Sequence, residues 1–191
     1  MVTGERLRLM MTNPDADYTE RVSDQRMAEL VVDLNREDPT LAVIAEPAEL
    51  ARLSSDFHNY SPILEEELLG RRAQVAVRAH SVSHVITVAA ACSRLAIPLT
   101  VRGAGTGNYG QCVPLAGGVL LDLSGLGRFR SLDGETGAAT AEAGCLLAEL
   151  DRELAPHGRA LRLAPSTYRS CLLYTSPSPR DQRGSRMPSS A

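Results

Sequence analysis

The spacing of apolar positions changes along this chain, and each change predicts an element. From Asp24 to Arg36, Met27, Leu30, Val31 and Leu34 recur at i, i+3, i+4 and i+7, which predicts an amphipathic helix. A second helix is expected from Glu46 to about Phe57, with Pro47 in its first turn. HNYSPILEEELLGRR reads as a connection carrying a short apolar segment. Ala73 to Arg78 (AQVAVR) alternates and is β-branched, which predicts a strand. Ser81 can cap the helix SVSHVITVAAACSRLA, whose Val85, Val88, Ala89, Cys92 and Leu95 share one face. Ile97 to Val101 is the next strand, so strand, helix and strand predict a βαβ unit with a parallel pair. Val119 to Leu123 reads as a buried strand. Arg128 to Leu132 and Ala138 to Ala143, joined by DGETG, read as a hairpin. Leu146 to Ala155 is a further amphipathic helix, ended by Pro156 and Gly158. No internal repeat is present, and the first 20 residues carry no usable pattern.

From Cys171 the texture shifts to CLLYTSPSPRDQRGSRMPSSA, where serine, proline and arginine dominate without helical or strand period. An unpacked tail is expected there. CLLYTSPSPRD and SRMPSSA resemble an in-frame translation of a sequencing adapter, with Gln182, Arg183 and Gly184 as its barcode. On that reading the chain is an N-terminal fragment whose biological sequence stops near Ser170. The expected division is a helical lead-in over 1–60, a partial domain over 61–170 and a disordered tail over 171–191.

Composition narrows the chemistry. At 191 residues the chain is long enough for one domain with its own core. No apolar run approaches the roughly 20 residues of a membrane span, and the N-terminus lacks a secretory pattern, so a cytoplasmic protein is expected. A net charge of −3 gives no basic footprint for nucleic acid. All the basic residues counted are arginine, which removes a Walker lysine, Schiff-base chemistry and a lysine base. Cys92, Cys112, Cys145 and Cys171 form no C-x-x-C, so reduced thiols are expected and a zinc site is not. His80 and His84 stand at i, i+4, but HSVSH has no intervening glutamate and no third ligand, so no metal is expected.

The chemistry centres on TVRGAGTGNYGQCVPLAGGVLLDL, Thr100 to Leu123. GTGNYG fits the letters G-x-G-x-x-G, yet a dinucleotide-binding Rossmann turn needs a helix starting at the third glycine. Pro114, Gly117 and Gly118 forbid one, and a strand follows after about eight residues, so the match is a decoy. Gly103, Gly105, Gly107 and Gly110 still let bare N–H groups approach a ligand closely, a pyrophosphate above all; an irregular connection is the alternative. Arg102 suits either an anionic phosphate or a strand-end ion pair. Asp122 reads as a structural acceptor, and Cys112 as a small loop residue.

The order of strand, helix, IPLTVRGAGTGNYG, VPLAGGVLLDLSGLGRF, DGETGAATAEAG, LLAELDRELAPHG and APSTYRS resembles the p-cresol-methylhydroxylase-type FAD-binding domain, the vanillyl-alcohol-oxidase-like flavoproteins. The resemblance covers about Ala73 to Ser170. It implies an α+β fold, with a small parallel βαβ subdomain followed by an antiparallel subdomain and FAD in the cleft between them. It implies that the backbone from Arg102, Gly103, Ala104, Gly105, Thr106 and Gly107 through Asn108, Tyr109, Gly110 and Gln111 wraps the FAD pyrophosphate. Pro165, Ser166 and Thr167 match the start of a second flavin-contacting segment. The implied parent is an FAD-linked oxidase or dehydrogenase taking a hydride from a small donor such as glycolate or D-lactate. The fragment itself is expected to be inactive, and its catalytic residues are not in view. A non-catalytic nucleotide-binding module and a nicotinamide-dependent enzyme are the alternatives. Thr106 stands where some relatives carry a flavin-tethering histidine, so non-covalent FAD is expected. Valine at Gly105 or Gly107 is expected to block close approach and to forbid a positive φ.

Overall fold

Helix α1, Asp24–Glu37, forms where the helical period gathers Met27, Leu30 and Leu34 into one buried stripe, and the Ser23 hydroxyl accepts from the Arg26 N–H at its start. The computed structural model describes residues 21–161 and 165–171, so the expected tail, apart from Cys171, lies outside the described residues. After α1 come strand β1 (Ala42–Ile44), helix α2 (Pro47–Leu53), a short helix α3 (Pro62–Glu67), β2 (Val75–Arg78), helix α4 (Val82–Arg94), β3 (Leu99–Arg102) and β4 (Val119–Asp122). Then follow β5 (Phe129–Leu132), β6 (Ala139–Ala141) and helix α5 (Leu147–Leu154).

The first four strands form one sheet in the order β1-β2-β4-β3. β4 is parallel to both neighbours, with Val77 and Val101 each opposite Leu121, and β1 is antiparallel to β2. The expected βαβ unit is present, but its strands are not a pair: β4 lies between them. β4 is buried along its whole length, and its run VLLD lacks alternation because both faces are covered. Val75, Val77, Val119 and Leu121 face α1 and α4, where Leu30, Leu34, Val88 and Ala91 complete the main core. Ala76 and Leu120 face the other way, onto Leu50 and Leu53 of α2. Residues 21–60 are thus built into the sheet and its two layers: β1 pairs with β2, and α1 lies on α4.

Ser81 caps α4 as expected, its hydroxyl accepting from the His84 N–H at 3.2 Å. Ser81→Ala is expected to destabilise the fold by about 1 kcal/mol. A thermal melt would show this as a Tm lower by roughly 2–4 °C; an unchanged midpoint would mean the cap carries no weight. His84, in the first turn of α4, is buried, with Nε2 3.4 Å from Asp38 Oδ2.

β5 and β6 make the expected hairpin, a separate antiparallel sheet, and Asp133 Oδ1 accepts from the N–H groups of Glu135 and Thr136 to close the turn. Cys145, Leu150 and Leu154 form a small core beneath it with Phe129 and Leu132. The observed architecture is the α+β arrangement anticipated from the sequence, with β1, α3 and the strand order added.

Candidate functional site

β3 and β4 run parallel, so residues 103–118 must carry the chain back along the sheet before β4 can begin. They do so without a helix, on the α2 side of the sheet. No helix follows Gly110; Val113 N–H closes a turn on its carbonyl instead, which removes the nicotinamide-type reading.

Strand alternation decides what lies beneath this loop. Leu99 and Val101 pack into the main core, so Arg102 points to the α2 side, where it is only 6% exposed. Its Nη1 donates to the carbonyls of Leu53 at 2.7 Å and Ser55 at 2.6 Å, and to Cys112 Sγ at 3.2 Å. Its Nη2 donates to the Ala104 carbonyl at 3.4 Å. The strand-end ion pair is not formed. Asp122, the nearest strand-end carboxylate, takes Arg78 Nε at 2.8 Å and the Ser124 N–H at 2.9 Å, the structural role expected of it. Arg102 is therefore a buried cation whose partners are three carbonyls and a thiol, set directly under the loop.

Gly105 sits on top of it. Its φ is +70°, and a Cβ added there would fall on the Arg102 guanidinium, so only glycine fits. Gly107 differs from expectation: it is not in the left-handed region, and its need for glycine is steric, since a Cβ there would meet Gln111 Oε1. Among the described residues, the only backbone N–H from Gly103 to Cys112 with a protein acceptor is that of Tyr109, bonded to Gln111 Oε1 at 3.1 Å. In a trans peptide the C=O and the next N–H point in opposite directions. With the Ala104 carbonyl turned toward Arg102, the Gly105 N–H is turned away from it. A run of unpartnered amide donors above a buried positive charge suits an anion, and a pyrophosphate fits both the glycine cradle and its charge.

Thr106 is half-buried, and Asn108, Tyr109 and Gln111 are exposed at the loop's outer bend. Cys112 is buried; desolvation pushes its thiol up, against the weaker opposing pull of Arg102. Pro165, Ser166 and Thr167 make no hydrogen bond to the loop among the described residues. They enter a turn in which the Pro165 carbonyl accepts from Tyr168 N–H, and the Tyr168 hydroxyl donates to Asp151 of α5 at 2.7 Å. Cys171 closes that turn: it is buried, and its carbonyl accepts from Leu147 N–H at 3.1 Å. A cavity of about 670 Å³ opens at the opposite end of the sheet, beside Gln74 and Gly117, and includes none of Gly103–Gln111.

Sequence reasoning missed the residues that hold the loop from behind: Leu53, Ser55, Asp56 and Phe57. The signal available was SSDFH, a short polar run ending the α2 pattern. Among the described residues, no helix is long and apolar enough to cross a membrane, and no group of three or more side chains could hold a metal ion.

A family model described as an FAD binding domain matches residues 73–177. The D-lactate dehydrogenase of Anaerostipes hadrus is 32% identical over 87 residues, 46% of this chain and 18% of that protein. Glycolate oxidase subunit GlcD of Escherichia coli (strain K12) is 29% identical over 100 residues, 52% of this chain and 20% of that protein. Among solved structures, 4-ethylphenol oxidase from Gulosibacter chungangensis has a TM-score of 0.64 at 18% identity, over 79% of this chain and 28% of that one. A p-cresol methylhydroxylase has a TM-score of 0.57 at 19% identity, over 78% and 28%. These structural likenesses speak for the fold alone. This chain spans about a fifth of the length of the curated relatives it matches.

Proposed function

The chain belongs to the FAD binding domain family, and from that premise we propose that it is the flavin-holding part of an oxidoreductase that takes a hydride from a small 2-hydroxy acid. One observation carries the binding reading: the unpartnered backbone donors of Gly103–Gly107, continuing through Asn108 and Gln111, set over the buried Arg102 cation. These amides hold the pyrophosphate. Arg102 acts through its charge and by aiming the Gly105 N–H, since its own donors are committed to protein acceptors. Thr106 offers a hydroxyl, and Pro165, Ser166 and Thr167 begin a second contacting segment. When bound, FAD supplies the hydride-accepting ring, and the protein supplies position and electrostatics.

The 2-hydroxy acid rests on the names of the relatives, a D-lactate dehydrogenase and a glycolate oxidase subunit. Anaerobic addition of D-lactate or glycolate to the complete, flavin-loaded protein should bleach the flavin absorption. No bleaching by either acid, in a protein that holds FAD, would remove this substrate class.

The flavin is proposed to be held without a covalent bond. Thr106 has an un-ionised hydroxyl at neutral pH, and Cys112 is a buried thiol held protonated by desolvation and turned to Arg102. Acid precipitation of the loaded protein should leave the yellow colour in the supernatant. Colour in the pellet, mapping to Thr106 or Cys112, would overturn this.

A further inference from the structure

Asp56 is the one buried side chain among the described residues with an oxygen that has no hydrogen-bond partner. Its side chain is fully buried. Oδ1 accepts from both the His58 N–H, at 3.0 Å, and His58 Nδ1, at 2.9 Å, while Oδ2 has no partner. A buried carboxylate oxygen left in that state is costly, and its position calls for a reason. That position is beside the glycine loop: a Cβ on Gly107 would stand 3.2 Å from Asp56 Oδ2.

The neighbouring backbone supplies the reason. Phe57 N–H, the next along the chain, donates to the Gly107 carbonyl at 2.8 Å. Turning that carbonyl toward Phe57 turns the N–H of Asn108, in the same peptide plane, the other way. Arg102 does the same one turn earlier, holding the Ala104 carbonyl and so aiming Gly105. The two devices share an anchorage, because Arg102 also bonds the Leu53 and Ser55 carbonyls immediately before Asp56. The segment that supplies this anchorage, from Leu53 to His58, lies upstream of residues 73–177, which the family model matches.

We propose that the turn Ser55–His58 is a positioning element for the pyrophosphate loop, and that Asp56 is its organising residue. Oδ1 shapes the turn through His58, the turn presents Phe57 N–H to Gly107, and Gly107 aims the Asn108 amide at the cofactor. Oδ2 is left beside Gly107 because Oδ1 is committed to His58. The proposal rests on the flavin reading above and deepens it.

The test follows amide resonances of the 191-residue chain while FAD is titrated in. With the native residue, FAD should shift the amides of Gly105 and Asn108. In Asp56→Ala the dissociation constant should rise roughly tenfold, the loss of one hydrogen bond to a charged group, with the Asn108 shift diminished and the Gly105 shift kept. Asp56→Asn retains an acceptor for His58 and should restore both affinity and the Asn108 shift. A folded Asp56→Ala chain with native affinity and a native Asn108 shift would overturn the proposal. If Asp56→Ala fails to fold, His58→Ala takes its place: a severalfold loss supports the brace, and native affinity overturns it. If FAD moves no amide from Gly103 to Cys112 even in the native chain, the flavin-loop reading itself fails, an outcome distinct from failure of the brace.

Discussion

Gly105→Val is expected to abolish flavin binding, raising the dissociation constant by more than about a hundredfold (roughly 2.7 kcal/mol). Two penalties coincide at this position. The backbone has φ +70°, a conformation costing an L-residue roughly 1–2 kcal/mol, and a β-branched residue tolerates it worst. The new Cβ would also fall on the Arg102 guanidinium, which cannot yield without giving up the Leu53 and Ser55 carbonyls it holds. Gly107→Val provides the contrast. Its backbone is not left-handed, and the obstruction is the far end of the Gln111 side chain, which can swing aside at the cost of the Tyr109 bond. A measurable loss is expected there, smaller than at Gly105. Fluorescence titration of FAD against both variants decides the matter, and native flavin content in both would show that the loop is not the pyrophosphate site.

Arg102→Leu, at the end of β3 beneath the loop, is expected to be strongly destabilising. The substitution leaves the Leu53 and Ser55 carbonyls without their shared donor. Each unpaired buried carbonyl costs about 1–3 kcal/mol, so a total near 2–4 kcal/mol is expected, or a Tm lower by roughly 5–15 °C. Arg102→Lys keeps the charge and recovers only part of the loss, because one ammonium cannot reproduce the planar fork that reaches both Nη1 and Nη2 acceptors. Cys112 reports the same event by chemistry: it is buried against Nη1, and its reaction with a thiol reagent should accelerate severalfold in Arg102→Leu. A variant that melts like the native chain and keeps its thiol protected would contradict the anchoring role assigned to Arg102.

Local periodicity revealed most of the elements but not their lateral arrangement. The α4 capping serine, the buried run of β4 and the β5–β6 hairpin were legible because each is set by residues close in sequence. β1 was not: three residues, AVI, pair with β2 at one edge and show no alternation. Strand order escaped for a different reason. VLLD reads as buried wherever it sits, and nothing in its letters says that it parts β2 from β3. At the site, glycine content pointed to the loop correctly, while the roles of Arg102 and Gly107 depended on partners some fifty residues upstream, Leu53 and Phe57. Such pairings are tertiary facts, and a single sequence carries no period that encodes them. Asp56 is the extreme case, since burial of a carboxylate runs against its ordinary preference.

The place of β4 between β2 and β3 has a bearing on how the chain is assembled during synthesis. β4 is the last of the four strands to leave the ribosome, and until Asp122 has emerged, β2 and β3 have no common neighbour to pair with. β2 and β3 must each wait with an open edge, and α4 with an unsheltered apolar stripe, the state most prone to mispairing. What ends the wait is the glycine loop reaching its final path, since it alone delivers Val119 to the gap. Any ligand that favours the finished loop therefore also favours closing the sheet, which makes the supply of that ligand a determinant of how much folded protein a cell accumulates.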